Sequence, residues 1–494
     1  MKITKQGLGY ILLLYPLSGI LILLTFTRLS EFYDIVIHYN FSYVAHSLQL
    51  AFLSSFPFVF AGFIGAYFLY TGGGPRVQKF SLSVAAALFF VHPVILLSLI
   101  KAYHALESLH PLAISSMIYG LHSWSLSMLI GFAVARKMSQ YAFYSALQTA
   151  SPANAIFVIV LPQLLRYVFL LGATFFIFYF FAQDVPSILG YRTFGEVIFS
   201  YIIVGDNTAQ ILSAVLLIVV PFAVLIYYFA GTLKRLLESI TVSNIYTSLQ
   251  SCAFKPLAAM MAVLCLALIS WIGYGFLRLL PYADVSITQI LRENVHILLI
   301  SGVIAIVASL LGMIVSRMLY YFTPKSRLIV FVLLFYFLIP RSVLALIVQA
   351  PFEIVDIPFV RNQWLLFFAG YVYGMLPISY FLFWLQRRFI QDRFFCYVEI
   401  PIWRRVIFVE LPMQKMFIFA EFLILTVVAL YELDIPLLLA PVGVETVIVK
   451  IYNLLHYGDM TTISFLSLCI ILTVSSIAYV VTLGNKRETF DSRR

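Results

Sequence analysis

The chain has 494 residues, of which 63% are hydrophobic and only 11% are charged. A soluble domain carries roughly 45–50% apolar and about 25% charged residues, so this composition excludes an ordinary soluble enzyme or binding domain. The formal net charge is +10, but most Lys and Arg residues fall in segments predicted to lie on the inner side of a membrane. That placement is the positive-inside bias of membrane proteins and not the sign of a nucleic-acid partner.

The apolar runs are about 20 residues long, the length that a helix needs to cross a bilayer. We therefore predict an all-α integral membrane protein with twelve transmembrane helices and both termini on the cytoplasmic side. In chain order the predicted helices cover residues 7–27, 44–70, 82–99, 112–135, 164–181, 209–229, 257–277, 294–315, 328–348, 364–384, 416–430 and 463–483.

Two stretches of the chain follow the same plan. Pro162 precedes an apolar helix that leads to Asp184, and Pro412, 250 positions later, precedes an apolar helix that leads to Asp434. Earlier matches are Ser47 with Asn294, Gly65 with Gly312 and Pro93 with Pro340 at a spacing of 247, and Gly120 with Gly370 at 250. We predict two homologous six-helix halves, residues 1–240 and 241–494, in parallel orientation because six is an even number of spans.

Each predicted half has a long inner loop between its fourth and fifth helices, at about 136–162 and about 387–412. The loops end in Ile159-Val160-Leu161-Pro162 and Val409-Glu410-Leu411-Pro412. This arrangement resembles the coupling loop of type I ABC importer permeases, whose pattern is Glu-Ala-Ala, three residues, Gly, nine residues and Ile-x-Leu-Pro. Loop length and ending are kept here, whereas the acid and the glycine are replaced. The resemblance assigns ATPase coupling to Phe143, Tyr144, Thr149, Leu161, Pro162, Arg393, Glu399, Trp403, Arg404, Arg405, Leu411 and Pro412.

The segment 432–458 is similar to the second half of fused iron(III)-type permeases. The resemblance implies the permease subunit of an ABC importer in a bacterial inner membrane, which takes up iron(III) from a periplasmic binding protein. Two copies of a separate cytoplasmic ATPase would supply the energy and hold ATP and magnesium, so this chain would be no enzyme and would carry no cofactor. Related permeases import thiamine, polyamines or phosphonates, and these substrates remain alternatives.

Four acids near or within the predicted spans are candidates for the substrate path: Asp184, Glu421, Glu432 and Asp434. A charge inside a membrane helix is costly and usually faces protein or water. We expect Asp184 and Asp434 at one depth at the outer mouth of a pore, with at most one of Glu432 and Asp434 facing the path. The alternative is that the acids cap the segments that follow them, and for Glu421 a buried hydrogen bond to a neighbouring helix. No residue is assigned to a metal.

Two other classes were weighed against the permease. A major facilitator type of secondary transporter usually carries a Gly-x-x-x-Asp-Arg-like signature between its second and third helices, and residues 71–80 contain no Asp. A membrane enzyme needs acids, His or nucleophiles clustered at one face, and the sequence shows no HExxH pair. It also has no GxxxxGK[ST] loop, which is why ATP is expected on a partner chain.

Overall fold

The structure is a computed structural model. It describes residues 13, 15–21, 41–101, 109–135, 154, 161–204, 212, 214–228, 263, 270, 274, 287–323, 327–354, 362–394, 411–457 and 462–473. Over these residues all regular structure is helical, which confirms the predicted all-α class. The helices are α1 (Phe41–Gly72), α2 (Pro75–Phe90), α3 (Pro93–Lys101), α4 (Pro111–Ala135), α5 (Leu161–Phe180), α6 (Asp184–Ile188), α7 (Phe194–Val204), α8 (Ala214–Tyr228), α9 (Ile287–Phe322), α10 (Arg327–Leu338), α11 (Arg341–Ile354), α12 (Gln363–Phe394), α13 (Leu411–Leu430), α14 (Asp434–Leu439), α15 (Val447–Tyr457) and α16 (Thr462–Thr473).

Within the described part of the chain, four helices are long and apolar enough to cross a membrane, namely α1, α4, α9 and α12. The pair α10 and α11 would make a fifth span if its bend of 117° lies within one crossing. Helix α9 exposes a row of apolar residues at intervals of three and four, as expected of a lipid-facing side. The row consists of Leu291, Val295, Leu299, Val303, Ile306, Leu310 and Ile314.

Two predicted spans are interrupted by breaks that the hydropathy pattern did not show. The predicted helix 82–99 ends at Phe90 and restarts as α3 at Pro93, and the predicted helix 328–348 breaks at Ile339 and Pro340. Proline has no N–H to donate and its ring clashes with the preceding turn, so each break lies at a proline. Helix α12 is longer than predicted, since it continues to Phe394, into the segment predicted as the second inner loop.

The described helices have the same order in two runs, α1–α8 and α9–α16. Within each run the contacts correspond: α1 packs on α4 and α5 as α9 packs on α12 and α13, and α6 packs on α3 as α14 packs on α11. Between the runs, α7 contacts α11 and, reciprocally, α15 contacts α3. Helices α5 and α13 each have 20 residues and each begins with Leu-Pro.

Small and hydroxyl residues hold α1 against α4. The Ser123 hydroxyl donates to the Ser54 carbonyl at 2.7 Å, and both side chains are fully buried. A Cβ on Gly62 would collide with Ser127 and with the Trp124 carbonyl. Close approach through Gly and Ser is how helices associate where lipid removes the hydrophobic driving force between them.

Candidate functional site

A cavity of about 260 Å³ lies between the two runs of helices. It is bounded by the carboxyl ends of α5 and α13, by the segments that lead into α6 and α14, and by the breaks before α3 and α11. Its polar lining comes from both runs and consists of His92, Tyr119, Tyr179, Gln183, Asp184, Arg341, Tyr431, Glu432 and Asp434. The Leu-Pro pairs begin α5 and α13 at the opposite ends, roughly 30 Å away for a 20-residue helix.

Asp184 is the first residue of α6 and is held by α4. The Tyr119 hydroxyl donates to Asp184 Oδ1, and the Val185 amide donates to the same hydroxyl at 3.3 Å. The Tyr179 hydroxyl donates to the Tyr119 carbonyl at 2.9 Å, which ties α5 to this network. Burial raises the pKa of Asp184 above its ordinary value. This carboxyl therefore lies in a fixed position at the cavity wall.

His92, which the sequence analysis did not select, lies beside Asp184. Its Nδ1 accepts the Val94 amide at 3.2 Å and so caps α3. A neutral ring with Nδ1 as acceptor carries its proton on Nε2, and Nε2 lies 4.0 Å from Asp184 Oδ2. The ring also stacks on Tyr431 of the other run, with 5.6 Å between centroids. The sequence carried a signal for this cap, since His92 and His110 each precede a proline and each caps the helix that follows.

Glu432 and Arg341 form an ion pair at the second run's side of the cavity, with 3.8 Å between Nε and Oε2. Burial raises the pKa of Glu432, and the Arg341 charge opposes that shift. Arg341 Nη1 is buried and has no hydrogen-bond partner in the part of the chain that the structure describes. Arg341 was not selected from the sequence, because its importance follows from the break at Pro340 that brings it to the cavity.

Asp434, the first residue of α14, accepts a hydrogen bond from the other run. Gln183 Nε2 donates to Asp434 Oδ1 at 2.9 Å, and the Ser342 amide also donates to this carboxyl. Burial, and then the negative charge of Glu432, raise the pKa of Asp434 to about 7. Glu432 and Asp434 both line the cavity, and the expectation that at most one of them faces a substrate path stays a prediction.

Glu421, the fourth predicted path residue, lies elsewhere. It is 3% exposed and pairs with Arg317 of α9, at 2.8 Å from Nη2 to Oε2 and 3.3 Å from Nη1 to Oε1. The Ser379 hydroxyl of α12 donates to Glu421 Oε1 at 2.9 Å. Both carboxylate oxygens thus help to join three helices, and the structure does not bring Glu421 to the cavity.

The predicted coupling residues are described only at the helix ends. Leu161 and Pro162 form the first turn of α5, Leu411 and Pro412 form the first turn of α13, and Arg393 lies in the last turn of α12. Proline is well tolerated in a first turn, where its missing N–H would have no partner. The others lie outside the described residues: Phe143, Tyr144, Thr149, Glu399, Trp403, Arg404 and Arg405.

The cavity combines three carboxyl groups with one guanidinium, surrounded by aromatic rings. Fixed negative charge in a narrow opening raises the local concentration of cations. Within the described ranges, no three His, Cys, Asp or Glu side chains converge so as to hold a metal ion. The arrangement suits the passage of a positive charge better than its tight ligation.

Comparisons with protein-family models, with curated proteins and with solved structures found no match.

Proposed function

We propose that this chain is the permease subunit of an ABC importer and that the cavity between its two runs of helices is part of the substrate path. The observation that carries the proposal is the position of Asp184 and Asp434. They begin equivalent short helices, 250 positions apart, and both line one cavity. The repeated contacts within each run and the reciprocal contacts between runs support two equivalent halves around a shared path.

In this proposal the ATPase subunits dock at the Leu-Pro ends of α5 and α13. Two such ends imply two ATPase copies for one copy of this chain, and a binding protein would deliver substrate at the cavity side. A 20-residue helix spans about 30 Å, the hydrocarbon thickness of a bilayer, so the cavity and the Leu-Pro ends would face opposite sides of the bacterial inner membrane. Both termini would then be cytoplasmic.

The substrate proposed first is iron(III), from the resemblance of residues 432–458 to iron permeases. The acids would attract the ion and pass it on without a dedicated ligand set. An organic cation such as thiamine or a polyamine is the second candidate, because aromatic rings also line the cavity and a cation binds favourably over such rings. The rings belong to Tyr119, Phe178, Tyr179, Phe181 and Tyr431. A phosphonate is disfavoured, because three carboxyl groups repel an anion.

The test replaces Asp184 and Asp434 with Asn in the assembled transporter. Asn keeps the shape and can still cap a helix, but it removes the charge. We expect uptake of iron(III) to fall by about tenfold or more, the low end of the rate gain that electrostatic focusing provides. Stimulation of ATP hydrolysis by the loaded binding protein reports whether coupling persists.

The matched control is Glu445→Gln, which removes a carboxylate that pairs with Lys450 at 3.5 Å outside the cavity. Uptake should survive this change. Normal uptake in the double Asn variant would reject the acids as a cation path. Transport of a substrate without any ATPase partner, driven by an ion gradient, would reject the importer class in favour of a secondary transporter.

A further inference from the structure

One hydrogen bond in the cavity joins the two runs of helices through a side chain that is left half satisfied. Gln183 is 6% exposed, and its Nε2 donates to Asp434 Oδ1 at 2.9 Å. Gln183 lines the cavity, and its buried Oε1 has no hydrogen-bond partner among the described residues. A buried acceptor without a donor is unfavourable, and a proton donor is what this arrangement lacks.

The second run has no counterpart of this contact. The position equivalent to Gln183 at the spacing of 250 is Leu433, which can neither donate nor accept. Asp184 instead binds Tyr119 of its own run. The Gln183–Asp434 pair is therefore a cross-link without an equivalent from Leu433 to Asp184. Another cross-link, between the hydroxyls of Ser187 and Tyr452 at 3.0 Å, contains no carboxyl group.

Asp434 is the group nearest to Gln183 that can gain a proton near neutral pH, because burial and the charges of Glu432 and Asp184 raise its pKa to about 7. Titratable or charged groups face this region from every element packed around it. They are Glu432 and Tyr431 from its own segment, Asp184 from α6, His92 from the break before α3, Tyr119 from α4, Tyr179 from α5, Arg341 from α11, Tyr371 from α12 and Tyr452 from α15.

We propose that Gln183 and Asp434 form a proton-dependent latch that holds the cavity closed between the two runs of helices. A proton from water neutralises the Asp434 carboxylate, and the new O–H donates to Gln183 Oε1 while Nε2 still donates to the other oxygen. Rotation about the last torsion of Gln is soft, so the amide and the carboxyl can face each other through two hydrogen bonds. Without the proton, Oε1 stays unsatisfied and Asp434 repels Asp184 across the boundary.

The direction of the pH effect follows from proton binding. In the open arrangement Asp434 is hydrated and has an ordinary pKa of about 4, whereas in the closed arrangement it binds a proton up to about pH 7. The closed arrangement therefore holds more protons in this window and is favoured as the pH falls. This inference rests on the proposed permease function. In such a permease the latch would slow uptake at acidic pH.

The test measures the distance between the two runs in the full chain in lipid nanodiscs, with no transport assay. Spin labels are attached to Cys at positions 200 and 442, where Ser200 and Val442 are exposed. The four native cysteines are replaced by Ser. We expect the distance distribution to shift to shorter values at about pH 5 relative to about pH 8.

Three variants locate the effect. Asp434→Asn should give the short distance at both pH values, because an Asn–Gln pair makes both hydrogen bonds without a proton. Gln183→Leu, which copies Leu433, should lose the short distance at acidic pH while all charges remain. Tyr452→Phe removes the other cross-link and should keep the pH response. A parent that shows no shift, or an Asp434→Asn variant that keeps the full shift, would overturn the latch.

Infrared titration of the unlabelled chain gives a second measurement. A protonated carboxyl band that persists at neutral pH and is lost in Asp434→Asn is expected, and its absence contradicts the latch even if a labelled variant folds poorly. The two proposals fail separately. A chain that transports without a pH-dependent distance loses only the latch, and a chain that shows the latch but transports nothing loses only the permease function.

Discussion

The two runs of helices solve the same packing problem with different chemistry. In the first run α1 meets α5 through aromatic rings, with Phe63 stacked on Tyr167 at 6.4 Å and Phe56 against Phe176 at 6.2 Å. In the second run α9 meets α13 through the Arg317–Glu421 ion pair. The backbone plan is therefore compatible with either an apolar or an ionic contact, and the buried pair is not what specifies the fold.

The same contrast holds at the cavity. The first run contributes Asp184, which accepts a hydrogen bond from Tyr119 and lies near His92. The second run contributes Asp434 and the Glu432–Arg341 ion pair. At the spacing of 250, Glu432 corresponds to Ala182. The two runs thus bring different charged groups to the cavity, one carboxyl group from the first and two carboxyl groups with a guanidinium from the second.

Removal of Glu421 should give the largest effect on stability. Glu421→Ala leaves the partly buried Arg317 guanidinium without its carboxylate partner, and breaking a buried pair costs about 3–5 kcal/mol. In the first run, Tyr167→Leu should cost only about 1 kcal/mol, the value of an aromatic pair beyond its buried area. Thermal unfolding of the purified chain measures both.

The ionic contact can also be replaced as a whole. Arg317→Met with Glu421→Leu should recover most of the stability lost in Glu421→Ala, because a well-packed apolar pair often equals a buried ion pair. This double variant makes the second run resemble the first. If it remains as unstable as Glu421→Ala, the ion pair contributes more than the comparison of the two runs implies.

Gly120 and Gly370, at equivalent positions of the two runs, should differ by a smaller amount in the stability lost when each is replaced by Ala. A Cβ on Gly120 would overlap the Phe58 ring, which is held between α1 and α4. A Cβ on Gly370 would lie 2.9 Å from Leu439 Cδ1 and 3.1 Å from Ile435 Cγ2, the ends of side chains that can move. We expect Gly120→Ala to cost about 1–3 kcal/mol.

Gly370→Ala should be nearly neutral, since Ala favours a helix over Gly by about 0.5–1 kcal/mol and offsets the small adjustment. The two variants are compared by unfolding in the same detergent. Equal losses would show that the α4 and α12 surroundings are more alike than the contacts indicate.

Much of the helical plan followed from the sequence, because apolar runs of membrane length are local signals. The spacing of 250 also placed Asp184 and Asp434 in equivalent positions, and they do line one cavity. For Glu421 the structure shows the alternative, a buried bond to neighbouring helices. The sequence could not choose between the two roles, because the partner Arg317 is 104 residues away and only the packing of α9 on α13 brings them together. Gln183, His92 and Arg341 were missed because their roles depend on helix breaks and on contacts between runs, which no local pattern records.

One serine in each of the long helices α1 and α9 tests the repeat itself. The Ser47 hydroxyl of α1 accepts the Phe194 amide at the start of α7 at 2.9 Å, and the Ser301 hydroxyl of α9 accepts the Val447 amide at the start of α15 at 2.8 Å. The sequence had matched Ser47 with Asn294, seven residues before Ser301. Seven residues are about two helical turns, so Asn294 and Ser301 lie on the same face of the helix.

The first N–H groups of a helix have no acceptor within it. Here a serine hydroxyl of a neighbouring long helix accepts a hydrogen bond from the first N–H of α7 and of α15. Ser47→Ala and Ser301→Ala should therefore each cost about 1 kcal/mol, the usual loss when a helix start loses its capping oxygen. Asn294→Ala, at the position that the sequence matched, should leave α15 unaffected, because its Nδ2 donates to the Ile290 carbonyl of its own helix. Hydrogen exchange at the Phe194 and Val447 amides measures each cap directly. Faster exchange of Val447 in Asn294→Ala than in Ser301→Ala would reject the pairing of Ser47 with Ser301.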